Sequence, residues 1–391
     1  MENKFLAEAK AIAPYLEEIY KQLHSHPELG RQEYQTQALI LAELEKMGIE
    51  ATPIADTGVL GIIRGSKPGK TVAFRADMDA LPIEEIADVP YKSQNPGVMH
   101  ACGHDSHVTI LLGLAKIMST KSAELSGNIK LFFQPDEEGR GGAKRMIEDG
   151  CMENPTVDAV FYSHCGSGCE TGTTYSRFGS VNAASNTFTV TFRGKGTHGA
   201  SPHTGTDVIV AASNAVMALQ TIASRRVGPT DSIVVTVGQF QAGSAPNILP
   251  ETATIKGMIR TLNPKTREQA KNDFRQIIHG VAATMNVEAD ILLGDGYCAS
   301  VNDDEMVKLT RAAATKVLGE ENVRTSAAPS LGTEDFGYFL QEAPGCYFIY
   351  GATKPGTTNK PLHNPGFKLD LDALPYGTAV YCQIAEDFLT E

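Results

Sequence analysis

Residues 129–142 read IKLFFQPDEEGRGG, and the change of character halfway along decides how the chain is read. Ile129–Phe133 is a short apolar run with two aromatic residues, the pattern of a buried strand. It stops at Gln134-Pro135-Asp136, and two adjacent carboxylates, Glu137 and Glu138, follow before three glycines in four residues. The same event occurs on either side. Thr71–Arg75 (TVAFR) is followed by Ala76-Asp77-Met78-Asp79, and residues 157–162 (VDAVFY) by Ser163-His164-Cys165. Helix patterns at Ser106–Met118 and Gly142–Glu148 separate these runs, so the order is β-α-β-α-β, a parallel sheet with covering helices. Open α/β sheets place ligands at the carboxyl ends of their strands. All three ends here carry residues that bind metal or move protons.

Between 182 and 294 the pattern changes. Strands at Thr187–Phe192, Ile233–Phe240, Thr252–Thr261 and Glu288–Leu293 and helices at Asp207–Ser224 and Lys265–Met285 give β-α-β-β-α-β, the ferredoxin-like order. The α/β pattern then resumes with a helix from Asp304, a strand Cys346–Tyr350 and a closing helix from Leu371. The expectation is an α/β protein whose first domain, 1–181 with 295–391, is interrupted by an inserted α+β domain, 182–294. A chain of 391 residues is long enough for two domains.

Composition narrows the function. Thirty-four Lys+Arg against 46 Asp+Glu leave a net charge of −12, which argues against a nucleic-acid partner. Hydrophobic content of 42% and charged content of 20% describe an ordinary globule. Seven cysteines, an odd number spread along the chain, argue against a disulfide framework and for a reducing, cytoplasmic setting. The N-terminal residues have helical spacing without a signal-peptide core, and no run approaches the roughly 18 consecutive apolar residues of a membrane helix. No membrane partner is expected.

Cys102 and His104, two residues apart in His100-Ala101-Cys102-Gly103-His104-Asp105 just before a helix, pair soft sulfur with imidazole, a donor set for zinc, manganese, cobalt or nickel. The helix N-terminus favours a thiolate there. Adjacent residues on extended chain point opposite ways, so of Glu137 and Glu138 one can ligate while the other faces substrate. His164 closes a strand, and His363 sits in the proline-framed Pro361-Leu362-His363-Asn364-Pro365-Gly366. With Cys102, His104 and Glu138 they make five candidate ligands, enough for two metal ions if one group bridges.

FRADMDALP (74–82), MHACGHDSH (99–107), FQPDEEG (133–139), GKGTHGASPH (194–203), APNILPE (245–251) and GTEDFGYFL (332–340) resemble the two-metal aminoacylase and carboxypeptidase family. The similar branch contains hippurate hydrolase, bacterial N-acyl-amino-acid amidohydrolases and plant hydrolases of auxin conjugates. The matches run in order from about residue 24 to 376, and HACGHD with PDEEG is specific to that branch. The resemblance implies a two-metal aminopeptidase-like catalytic domain with a lid that also dimerises the protein. It implies metal ligands at Cys102, His104, Glu138, His164 and His363, with manganese or zinc first and cobalt or nickel next. Glu137 would be the general base and acid, and Asp79 would orient a histidine ligand. His198 would reach the active site, often that of a partner subunit, and Asn247 and Arg260 would contact the substrate, a small N-acyl amino acid. After the ligand His164 the branch continues with bulky residues that wall the substrate pocket, whereas this chain reads Cys165-Gly166-Ser167-Gly168-Cys169.

Water held between two divalent cations ionises near neutrality, and Glu137 is suited to move its proton. Arg260 is a candidate for a bidentate grip on a free α-carboxylate. The rival readings are an N-acetyl-diaminopimelate deacetylase or small-peptide carboxypeptidase using the same residues, and a non-catalytic metal- or ligand-binding protein. A thiol hydrolase built from Cys102 and His100, His104 or His107 leaves Glu137, Glu138, His164 and His363 without a role. Cys165 and Cys169 also read as a redox or second metal pair.

Overall fold

The computed structural model describes residues 2–390, and the chain divides into two compact units. The first comprises Met1–Gly179, Val301–Ala327 and Asp335–Glu391; the second comprises Ser180–Ser300 with Ala328–Glu334.

The first unit is built on a mixed eight-stranded sheet. Its centre is parallel: Lys67–Asp77 lies between Ser126–Gln134 and Ala159–Glu170, and Gly345–Thr353 pairs with the latter. Asp77 is in register with Gln134, and Arg75 with Tyr162. Two residues further on, Asp77 and His164 therefore stand at the same level, so the functional ends of three strands form one rim. The helices His104–Ser119 and Ala373–Thr390 are buried along most of their length. Val72, Phe74, Ile129, Leu131, Phe133 and Phe161 from the sheet share a core with Ile110, Leu111, Leu114, Tyr381 and Phe388 from those helices.

Three details depart from the sequence expectation. A hairpin, Glu50–Ile54 with Gly58–Arg64, pairs antiparallel onto Ser126–Gln134. The third strand continues past Tyr162 through His164 to Glu170 because Gly345–Thr353 lends it a ladder to Gly166 and, after a shift of register, at Glu170. Residues 137–140 form a turn, so Glu137 and Glu138 are not on extended chain.

In the second unit Ala184–Arg193, Ile233–Ala242, Thr252–Thr261 and Glu288–Asp295 form an antiparallel sheet. Their spatial order is fourth, first, third, second, the split βαβ arrangement. The helices Val208–Thr221 and Pro264–Thr284 start on side-chain caps from Asp207 and Asn263, which supply acceptors for otherwise unpaired N–H groups. The helical stretch Val208–Arg226 is, by length and composition, apolar enough to cross a membrane, although Ser213, Asn214, Gln220 and Thr221 interrupt its apolar run. Its Val208, Ala211, Ala212, Ala215, Leu219 and Ile222 lie in one core with Phe188, Val190, Ile255 and Phe274.

Candidate metal centre

Cys102 and His104 are set by the turn that opens the helix His104–Ser119. Gly103 between them has φ +80°, and a Cβ there would lie 2.4 Å from Cys165 Sγ, so both the conformation and the space call for glycine. Cys165 Sγ in turn donates to the Cys102 carbonyl at 3.2 Å. Cys165 is thus buried behind Cys102. His363 stands at φ +63° and its N–H donates to the Ala101 carbonyl at 2.8 Å, which ties its loop to the cysteine turn.

Cys102 Sγ is 3.5 Å from His164 Nε2 and 3.3 Å from His363 Nε2. Glu138 Oε1 lies 3.0 Å from the same His363 nitrogen. Donor atoms of Cys102, His104 and His164 lie within 4.8 Å of one another, as do those of Cys102, Glu138 and His363, and those of His104, Glu137 and Glu138. Two triads meet at Cys102. The turn at 137–140 brings both glutamates to the cluster, against the expectation that they face opposite ways.

Hydrogen bonds fix which nitrogens are offered. His164 Nδ1 donates to the Cys165 carbonyl at 2.8 Å, and His104 Nδ1 is 2.9 Å from the Asp79 carbonyl. Each ring therefore turns Nε2 toward the cluster, as second-layer partners do at metal sites. Asp79 Oδ2 also accepts the Glu138 N–H at 2.9 Å. Neighbouring His107 is fully committed: Nδ1 to Asp77 at 2.5 Å, and Nε2 accepting the Cys165 N–H at 3.0 Å.

The residues fit divalent metal. His104 Nε2 and Asp79 Oδ1 are buried without a hydrogen-bond partner, and buried polar atoms are normally satisfied. Burial disfavours charge on His104, but Asp77, Asp79 and Glu138 outweigh it and hold its pKa up at about 10. Burial pushes His164 down to about 4 and the Cys102 thiol well up. Glu138 is held below the ordinary carboxylate range, against burial, by His363 and His104. An acidic pocket that draws a proton onto the His104 imidazole is suited to accept cationic charge instead.

The other expected residues lie in the second unit. His198 is exposed on the two-residue strand Thr197–His198, opposite Ile248. Its Nδ1 accepts the Ala200 N–H at 3.1 Å, which leaves the ring proton on Nε2. Asn247 is next to that ribbon, its carbonyl accepting the Gly199 N–H at 2.8 Å. Arg260 is half-buried near the end of Thr252–Thr261, and its Nη1 is buried without a hydrogen-bond partner.

Residues 73–387 match the family described as peptidase family M20/M25/M40. The chain belongs to that family. The thermostable carboxypeptidase 2 of Saccharolobus solfataricus is 38% identical, over 99% of this chain and 98% of its own. The N-acetyl-L-cysteine deacetylase of Bacillus subtilis is 39% identical over 91% and 84%, and the hippurate hydrolase of Campylobacter jejuni 37% identical over 95% and 96%. A Bacillus subtilis structure described as a dinuclear metal binding peptidase of the M20 family superposes with a TM-score of 0.85 at 30% identity, covering 97% of this chain and 99% of that one. This M20 chain is therefore a metal-dependent hydrolase of amide bonds.

Sequence reasoning gave His107 a part only in the rejected thiol-hydrolase reading and assigned no role to Asp77 or Arg75. Arg75 is buried between Asp77 and Asp335 at 2.7 and 2.8 Å. Alternation along TVAFR would have flagged a charged residue inside a buried strand.

Proposed function

We propose that this M20 hydrolase cleaves the amide bond of small N-acyl amino acids. The observation that carries the reading is the convergence on Cys102 of two donor triads with both glutamates beside them. Cys102, His104, Glu138, His164 and His363 would hold two divalent cations, with Cys102 shared. The thiolate and imidazoles disfavour magnesium and calcium and point to manganese or zinc, with cobalt or nickel next. When bound, the cations supply Lewis acidity and bring water's ionisation toward neutrality.

Glu137 takes a proton from the attacking water and returns it to the leaving nitrogen. Asp79 keeps His104 Nε2 and the Glu138 backbone in place. His198 offers Nε2–H to the oxyanion that develops on the carbonyl, from its own chain or a partner's, and Arg260 grips the free carboxylate, with Asn247 beside the substrate. We include a homodimer through the second unit, where Ile233–Ala242 is a sheet edge bearing exposed Phe240. The cysteines are all free, as expected of a protein in a reducing cytoplasm. Carboxypeptidase activity on short peptides is the second reading, favoured by the resemblance to thermostable carboxypeptidase 2.

The test is metal analysis joined to a hydrolysis panel of acetyl, benzoyl and long-chain acyl amino acids and blocked dipeptides. Two metals per chain and turnover of an acyl amino acid, abolished by a chelator and restored by manganese or zinc, are expected. Chelator-resistant turnover, or none across the panel, rejects the proposal.

A further inference from the structure

We propose that Glu33 is the positioning residue of the Glu137–Glu138 pair: its buried carboxylate fixes the backbone of the turn that presents both groups to the metal centre. The inference rests on the proposed function only for its kinetic readout.

The turn begins at a demanding conformation. Asp136 stands at φ +58°, a region that a residue with a Cβ adopts only when its surroundings enforce it. The enforcement is visible on every side. The Asp136 N–H donates to Glu33 Oε1 at 2.9 Å, its Oδ2 accepts Arg31 Nε at 2.7 Å, and its carbonyl accepts the Gly141 N–H at 2.9 Å. Its Oδ1 fills space that a Cβ on Gly30 or Gly139 would invade, at 2.3 and 2.1 Å.

Three carboxylates far apart in sequence take three N–H groups of this segment: Glu33 that of Asp136, Asp79 that of Glu138 at 2.9 Å, and Asp335 that of Ala143 at 3.0 Å. Asp79 also holds His104, and Asp335 also pairs with Arg75. Glu33 is different. It is fully buried, and among the described residues its only other side-chain partner is the Thr57 hydroxyl at 2.6 Å and no cation pairs with it. A buried carboxylate without a counter-charge is costly, and burial accordingly pushes Glu33 up to about 7. An apolar side chain would avoid that cost but would orphan the Asp136 N–H at the entrance to the catalytic turn. What Glu33 provides is therefore reach: one oxygen anchored on Thr57, the other on Asp136, two residues before the ligand Glu138.

Reach and charge separate by mutation. Glu33→Gln keeps the length, an acceptor for Asp136 and a donor for Thr57, and loses the charge; Glu33→Asp keeps the charge and is one methylene short. Both are compared with wild type by Mn2+ titration calorimetry on the metal-stripped protein, by kcat and KM on hippurate, and by Tm. For Glu33→Asp we expect kcat down about 10–100-fold with KM nearly unchanged, and Mn2+ binding weaker by about tenfold, the usual effect of losing an outer support. Glu33→Gln is expected to stay within about threefold of wild type on both. Wild-type behaviour of Glu33→Asp, or Glu33→Gln impaired as much as Glu33→Asp, overturns the proposal. So does a lowered Tm with kcat and Mn2+ affinity intact. Should Glu33→Asp not fold, Thr57→Val releases the anchored oxygen, and unchanged kcat and Mn2+ affinity in that variant are equally fatal. A wild type that binds Mn2+ but hydrolyses no acyl amino acid rejects the proposed function and leaves the Mn2+ comparison readable.

Discussion

At Glu137 and Glu138, neighbouring carboxylates have different assignments, and the surroundings separate them. Glu138 is held ionised beside His363 and His104, as a ligand must be, and Glu137 shares the cluster with it. Glu137→Gln keeps the shape and removes the proton acceptor. We expect full metal content and kcat lower by about 10²–10⁴-fold, the range for a positioned acid-base group; near wild-type hydrolysis with metal unchanged would refute the role. Cys102 is the residue common to both triads, so Cys102→Ala should lose metal by elemental analysis, whereas unchanged stoichiometry would make the thiol structural. For Arg260→Ala the discriminating quantity is KM: it should rise far more for a substrate with a free carboxylate than for its amide, and an equal rise on both would exclude the carboxylate grip.

Elements bring Asp79, Glu138 and His164 to one rim, and that level of organisation was the most legible in sequence. The three strands were marked by apolar runs broken by Asp, Pro or Ser, and Asp79, Glu138 and His164 follow those runs closely because the parallel strands are in register. What escaped was set by contacts distant in sequence. The hairpin Glu50–Arg64 exists through pairing with Ser126–Gln134, the strand past His164 crosses glycines that carry no local preference, and nothing near Glu33 announces Asp136, 103 residues away. A prediction belongs to the helix His104–Ser119. His24, at the end of Ala13–Ser25, sits buried between Asp105 at 2.6 Å and Glu85 at 3.2 Å. Burial opposes its charge, but the two carboxylates outweigh it and raise it to about 9. A raised folded pKa contributes stability in full below the ordinary histidine value and loses it as pH climbs through about 9. By linkage this amounts to about 3 kcal/mol. In denaturant melts from pH 6.5 to 9.5 wild type should lose that much more stability than His24→Gln; parallel curves would mean His24 is not charged in the folded state.

For the whole molecule, a chain of net charge −12 proposed to act on carboxylates needs local cationic groups, and the proposed function assigns that part to the bound cations, Arg260 and His198. In the proposed function His198 serves either the metal site of its own chain or that of a partner. In a symmetric dimer the second arrangement requires that each protomer give its His198 to the other. Mixing inactive Glu137→Gln chains with inactive His198→Ala chains distinguishes the cases. If His198 acts across the dimer, every mixed dimer holds one intact site, formed by Glu137 of one chain and His198 of the other, and random exchange at equal amounts should restore about a quarter of wild-type turnover. If it acts within its own chain, each site in a mixed dimer still lacks one group, and the mixture will show no more activity than its parts.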